Sequence, residues 1–215
     1  MKLTTITNVS VDGVTQGHRR INGGARGERD APDQDGSDGF ERFGWAPPLL
    51  DDEASTFIGQ AFQRADAFLF GRRTYEIFAG SWGTWDDPGD SPIWTALNTA
   101  PKYVASTTPF DPEWAKTTVL SGDLAAAVRE LKAKAGGELQ VHGSGVLVRW
   151  LLDNHLVDEI NLLVCPVVVG QGRRLFPDTG PDMALELVGS QTTPSGVTIQ
   201  VYRPTGRPEY AIATA

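Results

Sequence analysis

Apolar and polar positions along this chain alternate between two periods, and the alternation predicts strands and helices in turn. Residues 3–11 (Leu-Thr-Thr-Ile-Thr-Asn-Val-Ser-Val) are rich in β-branched side chains and read as a strand. Helical spacing follows at 51–65, a strand at 66–70 and a helix at 72–79. The pattern then repeats. Lys102–Ser106 and Thr117–Leu120 read as strands, and Asp123–Ala135 as a helix with Leu124, Val128, Leu131 and Ala135 on one face and Gly136-Gly137 as its stop. Strand 138–142, helix 145–153 and strand 157–164 form a βαβ unit, for which a right-handed crossover and parallel strands are expected. Two last strands, 185–190 and 197–203, flank the turn Thr192-Thr-Pro-Ser-Gly196 and predict an antiparallel hairpin. The class is therefore α/β, with a mixed, mainly parallel sheet flanked by helices.

One segment breaks the periodicity. Residues 12–50 are dense in glycine, proline and acidic residues, and a loop of that length inside a domain is typically a lid or a binding loop. Its aromatics Phe40, Phe43 and Trp45 favour a lid, and Phe40 and Trp45 are the candidate substrate contacts. At a prior of about 150 residues per domain, the 215 residues are expected to form a single domain over 1–204 with a tail at 205–215.

Composition narrows the function. A net charge of −8 without a basic cluster argues against nucleic acid as a partner, and no run approaches the roughly 18 apolar residues of a membrane span. The amino terminus lacks the apolar core of a secretion signal, and the one cysteine, Cys165, lies among apolar neighbours and reads as a buried thiol. A cytoplasmic protein is expected. The apolar run Leu162–Val169 and the carboxyl-terminal hairpin offer strand surface for a homodimer.

The chemistry sits in two glycine turns. Glu138-Leu-Gln-Val-His142 breaks at Gly143-Ser-Gly145 and resumes as a helix, which leaves first-turn N–H groups and the positive helix end facing a ligand and suits a phosphate. Gly71-Arg-Arg-Thr-Tyr-Glu76 does the same after an apolar strand, with two guanidiniums able to fork onto an anion. The Rossmann fingerprint is not met, since a third glycine would fall at Val148. Asp33–Asp38 fails as a calcium loop, with Asp38 and Gly44 where a glycine and an acid are required. His18, His142 and His155 show no metal-ligand spacing, and no G-x-S-x-G elbow occurs.

Taken together, Val9-Ser-Val-Asp-Gly13, Gly39-Phe-Glu41 with Trp45, Leu69-Phe-Gly-Arg-Arg-Thr-Tyr-Glu76, Lys102-Tyr-Val-Ala-Ser106, Val141-His-Gly-Ser-Gly145, Val157-Asp-Glu159 and Pro166-Val-Val-Val-Gly-Gln-Gly-Arg-Arg-Leu-Phe176 are similar to the dihydrofolate-reductase-like proteins that share the carboxyl-terminal reductase domain of the riboflavin-biosynthesis protein RibD. The resemblance spans about residues 2–203. It implies a dihydrofolate-reductase-like sheet and NADPH as cofactor. It also implies that Gly71, Arg72, Arg73 and Thr74 hold the pyrophosphate and 2′-phosphate side, that Ser106 and Thr107 border the adenosine phosphate, that Gly143, Ser144, Gly145 and Val146 cap the pyrophosphate, and that Thr7 and Asn8 face the nicotinamide amide.

Two departures qualify the resemblance. The carboxylate that dihydrofolate reductases carry on their first helix is absent from Ser55-Thr-Phe-Ile58, and the zinc deaminase elements of full-length RibD are missing. The reaction implied is hydride transfer to a small polar substrate, with reduction of 5-amino-6-(5-phosphoribosylamino)uracil as reference. Asp12, at a strand end, is the candidate proton donor, with an ordinary turn aspartate as the other reading. Reduction of an unrelated carbonyl or imine, and nucleotide binding without turnover, are the alternatives.

Overall fold

A computed structural model describes residues 1–17, 40–143, 145–176 and 178–211. Its elements, in chain order, are β1 (Lys2–Ser10), α1 (Asp52–Gln63), β2 (Ala65–Gly71), α2 (Arg72–Ser81), α3 (Pro92–Thr99), β3 (Lys102–Ala105), β4 (Thr117–Leu120), α4 (Leu124–Ala133), β5 (Glu138–His142), α5 (Gly145–Asp153), β6 (Glu159–Cys165), β7 (Ala184–Thr192) and β8 (Thr198–Gly206). The strands form one sheet in the order β4-β3-β2-β5-β1-β6-β8-β7. The first six run parallel, and β8 and β7 close the sheet as the antiparallel hairpin the turn signal predicts.

Right-handed crossovers decide which face each helix covers. The chain moves outward from β1 to β4 and back through β5 to β6, so α1, α2 and α3 fall on one face and α4 and α5 on the other. The cores follow that division. Phe62, Tyr75 and Leu97 pack with Phe68, Phe70 and Val104 of the strands. On the opposite face, Val128, Leu131, Leu147, Val148 and Leu151 pack with Leu3, Leu69, Leu139, Val141 and Ile160. Both faces of the central strands are covered, which is why their sequences read as apolar runs rather than as clean alternation.

Two elements differ from the sequence reading. The segment 138–164 does form two parallel strands joined by a helix, but β1 lies between them, so β5 and β6 each pair with β1 and not with one another. Helix α3 was not anticipated, although it opens on Ser91 and Pro92, with the serine hydroxyl accepting from Trp94 N. It ends against Lys102, whose buried Nζ donates to Leu97 O (2.7 Å) and Ala100 O (3.1 Å) and lies 4.6 Å from the Trp114 ring centroid. That ammonium satisfies carbonyls at the negative end of the helix and stacks on an aromatic face. Cys165 is fully buried, and burial pushes its thiol up to about 11.

Candidate functional site

Six parallel strands place their carboxyl ends on one edge of the sheet, where open α/β sheets bind ligands. Register aligns the turns. Gly71 is level with Ala105, Phe68 with Gln140, Ile6 with His142 and Ser10 with Cys165. With strands roughly 4.8 Å apart, Ser106, the Gly71-Arg72 step, Gly143 and the end of β1 form a row. The candidates Gly71 to Thr74, Ser106, Thr107, Gly143, Gly145, Val146, Thr7 and Asn8 therefore share this edge. Ser144, His18 and the Asp33–Asp38 stretch lie outside the described residues.

Helix starts differ across the molecule in a way that singles out α2. Helices α1, α3 and α4 are closed by the side chains of Asp51, Ser91 and Asp123, each accepting from a first-turn N–H. Helix α2 begins at Gly71 with no side-chain cap, which leaves its first-turn donors and positive dipole end to another acceptor. Beside it, Arg72 donates through Nε to Glu76 Oε1 (2.9 Å) and through Nη1 to Thr108 Oγ1 (2.7 Å), with its guanidinium 4.7 Å from the Phe110 centroid. The fork is thus held in place by a carboxylate, a hydroxyl and a ring. Ser106 Oγ donates to Thr108 O (2.6 Å) and accepts from Thr108 N (3.3 Å), so this hydroxyl shapes the turn while Thr107 stands exposed.

On the neighbouring strands, Gly143 adopts φ +68°, a left-handed conformation that glycine enters freely, and donates its N–H to Ile6 O (3.3 Å). Thr7 is one residue beyond Ile6, level with this turn. It is 3% exposed, and its Oγ1 has no hydrogen-bond partner among the described residues. A buried hydroxyl without a partner is costly, and a bound ligand would supply one.

At the β1 and β6 ends, Asp12 is held by three donors. Its carboxylate accepts from Ser10 Oγ (2.6 Å), Val169 N (3.0 Å) and Gly170 N (2.8 Å). Those three donors, the Ser10 hydroxyl foremost, hold the acid down at about 2. A group so stabilised as an anion is poorly suited to donate a proton near neutrality. Asp12 instead ties the loop after β1 to the loop after β6. Arg174 Nε donates to Asp12 O (2.9 Å), Arg149 Nη1 to Arg174 O (2.8 Å) and Arg173 N to Gln16 Oε1 (2.6 Å), which completes the tie.

The described parts of the 12–50 segment, 12–17 and 40–50, are packed down. Phe40 is 5% exposed, in a cluster with Val14 and Val169 and edge-on to Phe43 at 4.6 Å. Gly172, at φ +115°, lets Phe40 in, since a Cβ there would stand 2.7 Å from the Phe40 ring. Phe40 is thus a core side chain in this arrangement. Trp45 is half-buried between this cluster and the one around Leu163, with a buried Nε1 that has no partner among the described residues.

Sequence reading passed over a buried polar row. Glu138, Gln140 and His142 alternate along β5 on the α1 face, joined to one another, to Arg64 Nε (2.9 Å) and to Thr4 Oγ1 (3.2 Å). The signal was the polar residues at every second position of a strand otherwise reading as core.

Among the described residues, no group of three His, Cys, Asp or Glu side chains could hold a metal ion, and no helix is long and apolar enough to cross a membrane. The chain is 28% identical to the Bacillus subtilis protein YyaP, itself uncharacterised, over 66% of this chain and 75% of that one. In structure it is similar to a Shewanella sp. PV-4 protein assigned to riboflavin biosynthesis, at TM-score 0.63 and 20% identity over 95% and 99% of the two chains. It is also similar to a pyrimidine reductase-like protein of Corynebacterium diphtheriae, at TM-score 0.58 and 15% identity over 95% and 92%. A family model for the RibD C-terminal domain matches residues 1–199, and the chain belongs to that family.

Proposed function

We propose that this chain is an NADPH-dependent reductase that transfers hydride to a small polar substrate, of the kind exemplified by 5-amino-6-(5-phosphoribosylamino)uracil. The observation that carries the reading is the uncapped start of α2 beside a braced Arg72, on the same edge as Gly143 and the orphaned Thr7 hydroxyl. Membership of the RibD C-terminal domain family and the description of the Corynebacterium protein as pyrimidine reductase-like point to the same chemistry.

Those residues fit the cofactor. The first-turn amides of α2, with Gly71, Arg72, Arg73 and Thr74, would hold phosphate oxygens; Ser106 and Thr107 would border the adenosine side; Gly143 to Val146 would cover the pyrophosphate. Thr7 Oγ1 would meet the carboxamide, with Asn8 beside it. NADPH, when bound, supplies the hydride. The protein's share is to orient it, to exclude water through the Asp12 tie and the packed Phe40 and Trp45, and to present the substrate. Asp12 organises the loops. The buried thiol of Cys165 suits a cytoplasmic setting.

Binding without turnover is the second reading, favoured by the commitment of Asp12 to the loop tie. Fluorescence titration with NADPH and NADH, followed by loss of NADPH absorbance with a panel of heterocyclic, carbonyl and imine substrates, separates the two. NADPH should bind more tightly than NADH. A charge-assisted hydrogen bond contributes about 1.5–3 kcal/mol, so Arg72→Ala with Arg73→Ala should reduce the NADPH/NADH preference by about 10- to 100-fold. An unchanged ratio would remove the arginines from the cofactor site.

A further inference from the structure

The polar row on β5 fixes more than packing. Gln140 is fully buried, and both of its amide hydrogens are spent, since Nε2 donates to Ala61 O (2.7 Å) and to Glu138 Oε2 (2.6 Å). Turned the other way, the amide would set its oxygen against a carbonyl and a carboxylate, so only one orientation is satisfied. Oε1 is therefore the atom that meets His142 Nε2 at 2.9 Å, and a pure acceptor there requires an N–H from the ring. Glu138 is itself held by Arg64 Nε and Thr4 Oγ1. Stacking on Phe62, with centroids 4.1 Å apart, sets the plane of the imidazole.

Enclosed on that face, the imidazole is neutral, because burial penalises its charged form. It then carries one proton, which Gln140 draws to Nε2, and Nδ1 keeps a lone pair. His142 is the last residue of β5, immediately before Gly143, and is 7% exposed. Its side-chain hydrogen bond to Gln140 runs back along the strand and uses Nε2, which leaves Nδ1 on the other side of the ring.

We propose that Glu138 and Gln140 are positioning residues that lock His142 as the Nε2–H tautomer, and that His142 Nδ1 accepts a hydrogen bond from a ring or amide N–H of the ligand bound at the carboxyl edge. The ligand half rests on reading this edge as the mouth of a reductase; the tautomer lock does not. A neutral acceptor in a nearly closed setting selects for a heterocycle that presents an N–H and against one alkylated there, because the lone pair would be left unmatched.

The test is long-range nitrogen NMR on the full chain labelled at histidine, with His18 and His155 identified by His18→Gln and His155→Gln. At pH 7, His142 should show a protonated Nε2 and a bare Nδ1. A proton on Nδ1, or an imidazolium, overturns the lock. Gln140→Met should release the ring into a tautomer mixture. A Met variant still wholly Nε2–H counts against the proposal, and if that variant does not fold the parent spectrum decides. With NADPH present, titration with uracil should shift the Nδ1 resonance, and 1,3-dimethyluracil, which lacks ring N–H groups, should not. Equal shifts from both, or none from either, overturn the acceptor role. NADPH fluorescence read on the same sample keeps the two claims apart, since a locked tautomer without cofactor binding would defeat the reductase reading alone.

Discussion

Asp12 shows how one side chain can be legible in position while its partners are not. Its place at the end of the first strand was evident from the sequence, but the two amides that claim its carboxylate belong to Val169 and Gly170, more than 150 residues away. No local pattern carries that information. The consequence is a stability effect with a defined sign. A carboxyl held near 2 against an ordinary 3.8 stabilises the fold fully above about pH 4 and loses that contribution as pH falls toward 2. Asp51, which caps α1 and also accepts from Ser195 N, behaves alike. Asp12→Asn should therefore lower the melting temperature at pH 7 and show a smaller further loss between pH 4 and pH 2 than the parent. Parallel melting curves for both proteins across that range would contradict the tie. His142 was legible only as the last residue of a strand before a glycine turn, since its partner Gln140 was hidden in a run that reads as core.

Among elements, most strands and the helices other than α3 were legible because their signals are local: caps, glycine stops and apolar faces. The insertion of β1 between β5 and β6 was not, because sequence neighbours in a βαβ unit need not be neighbours in the sheet. The aromatic loop is an intermediate case. Its bulky side chains announced that something is covered, but Gly172 decides what, by opening a slot for Phe40 against Val14. A Cβ at that position would meet Phe40, Gln16 and Val14 at 2.7, 2.8 and 2.9 Å on a backbone at φ +115°. Gly172→Ala and Phe40→Ala should each destabilise, the latter by about 3 kcal/mol, a usual cost for emptying a buried phenylalanine site. Denaturant midpoints for both variants within experimental error of the parent would restore Phe40 as a free substrate contact.

At the scale of the molecule, the two open edges of the sheet are unequal. Strand β4 has four residues, whereas β7 has nine, with Leu187 55% exposed and Val188 47% exposed. The sequence's argument for a dimer was the run Leu162–Val169 together with the carboxyl-terminal hairpin; β6 is enclosed by β1 and β8, so of the two it is the hairpin strand β7 that a dimer would use. Sedimentation should give a mass near twice 23.2 kDa, and Leu187→Asp should return the chain to that single mass. A parent that sediments as a monomer at micromolar concentration rejects the dimer.

The central claim is that the carboxyl edge of the parallel strands binds NADPH. Amide shift mapping on titration with NADPH tests it directly. Saturable perturbations gathered at Gly71 to Thr74, Ser106, Thr107, Gly143, Gly145, Val146, Thr7 and Asn8 are the predicted result. The contrary result is no saturable change, or one centred on the opposite edge, in the cleft lined by Leu152, His155, Val157 and Met183.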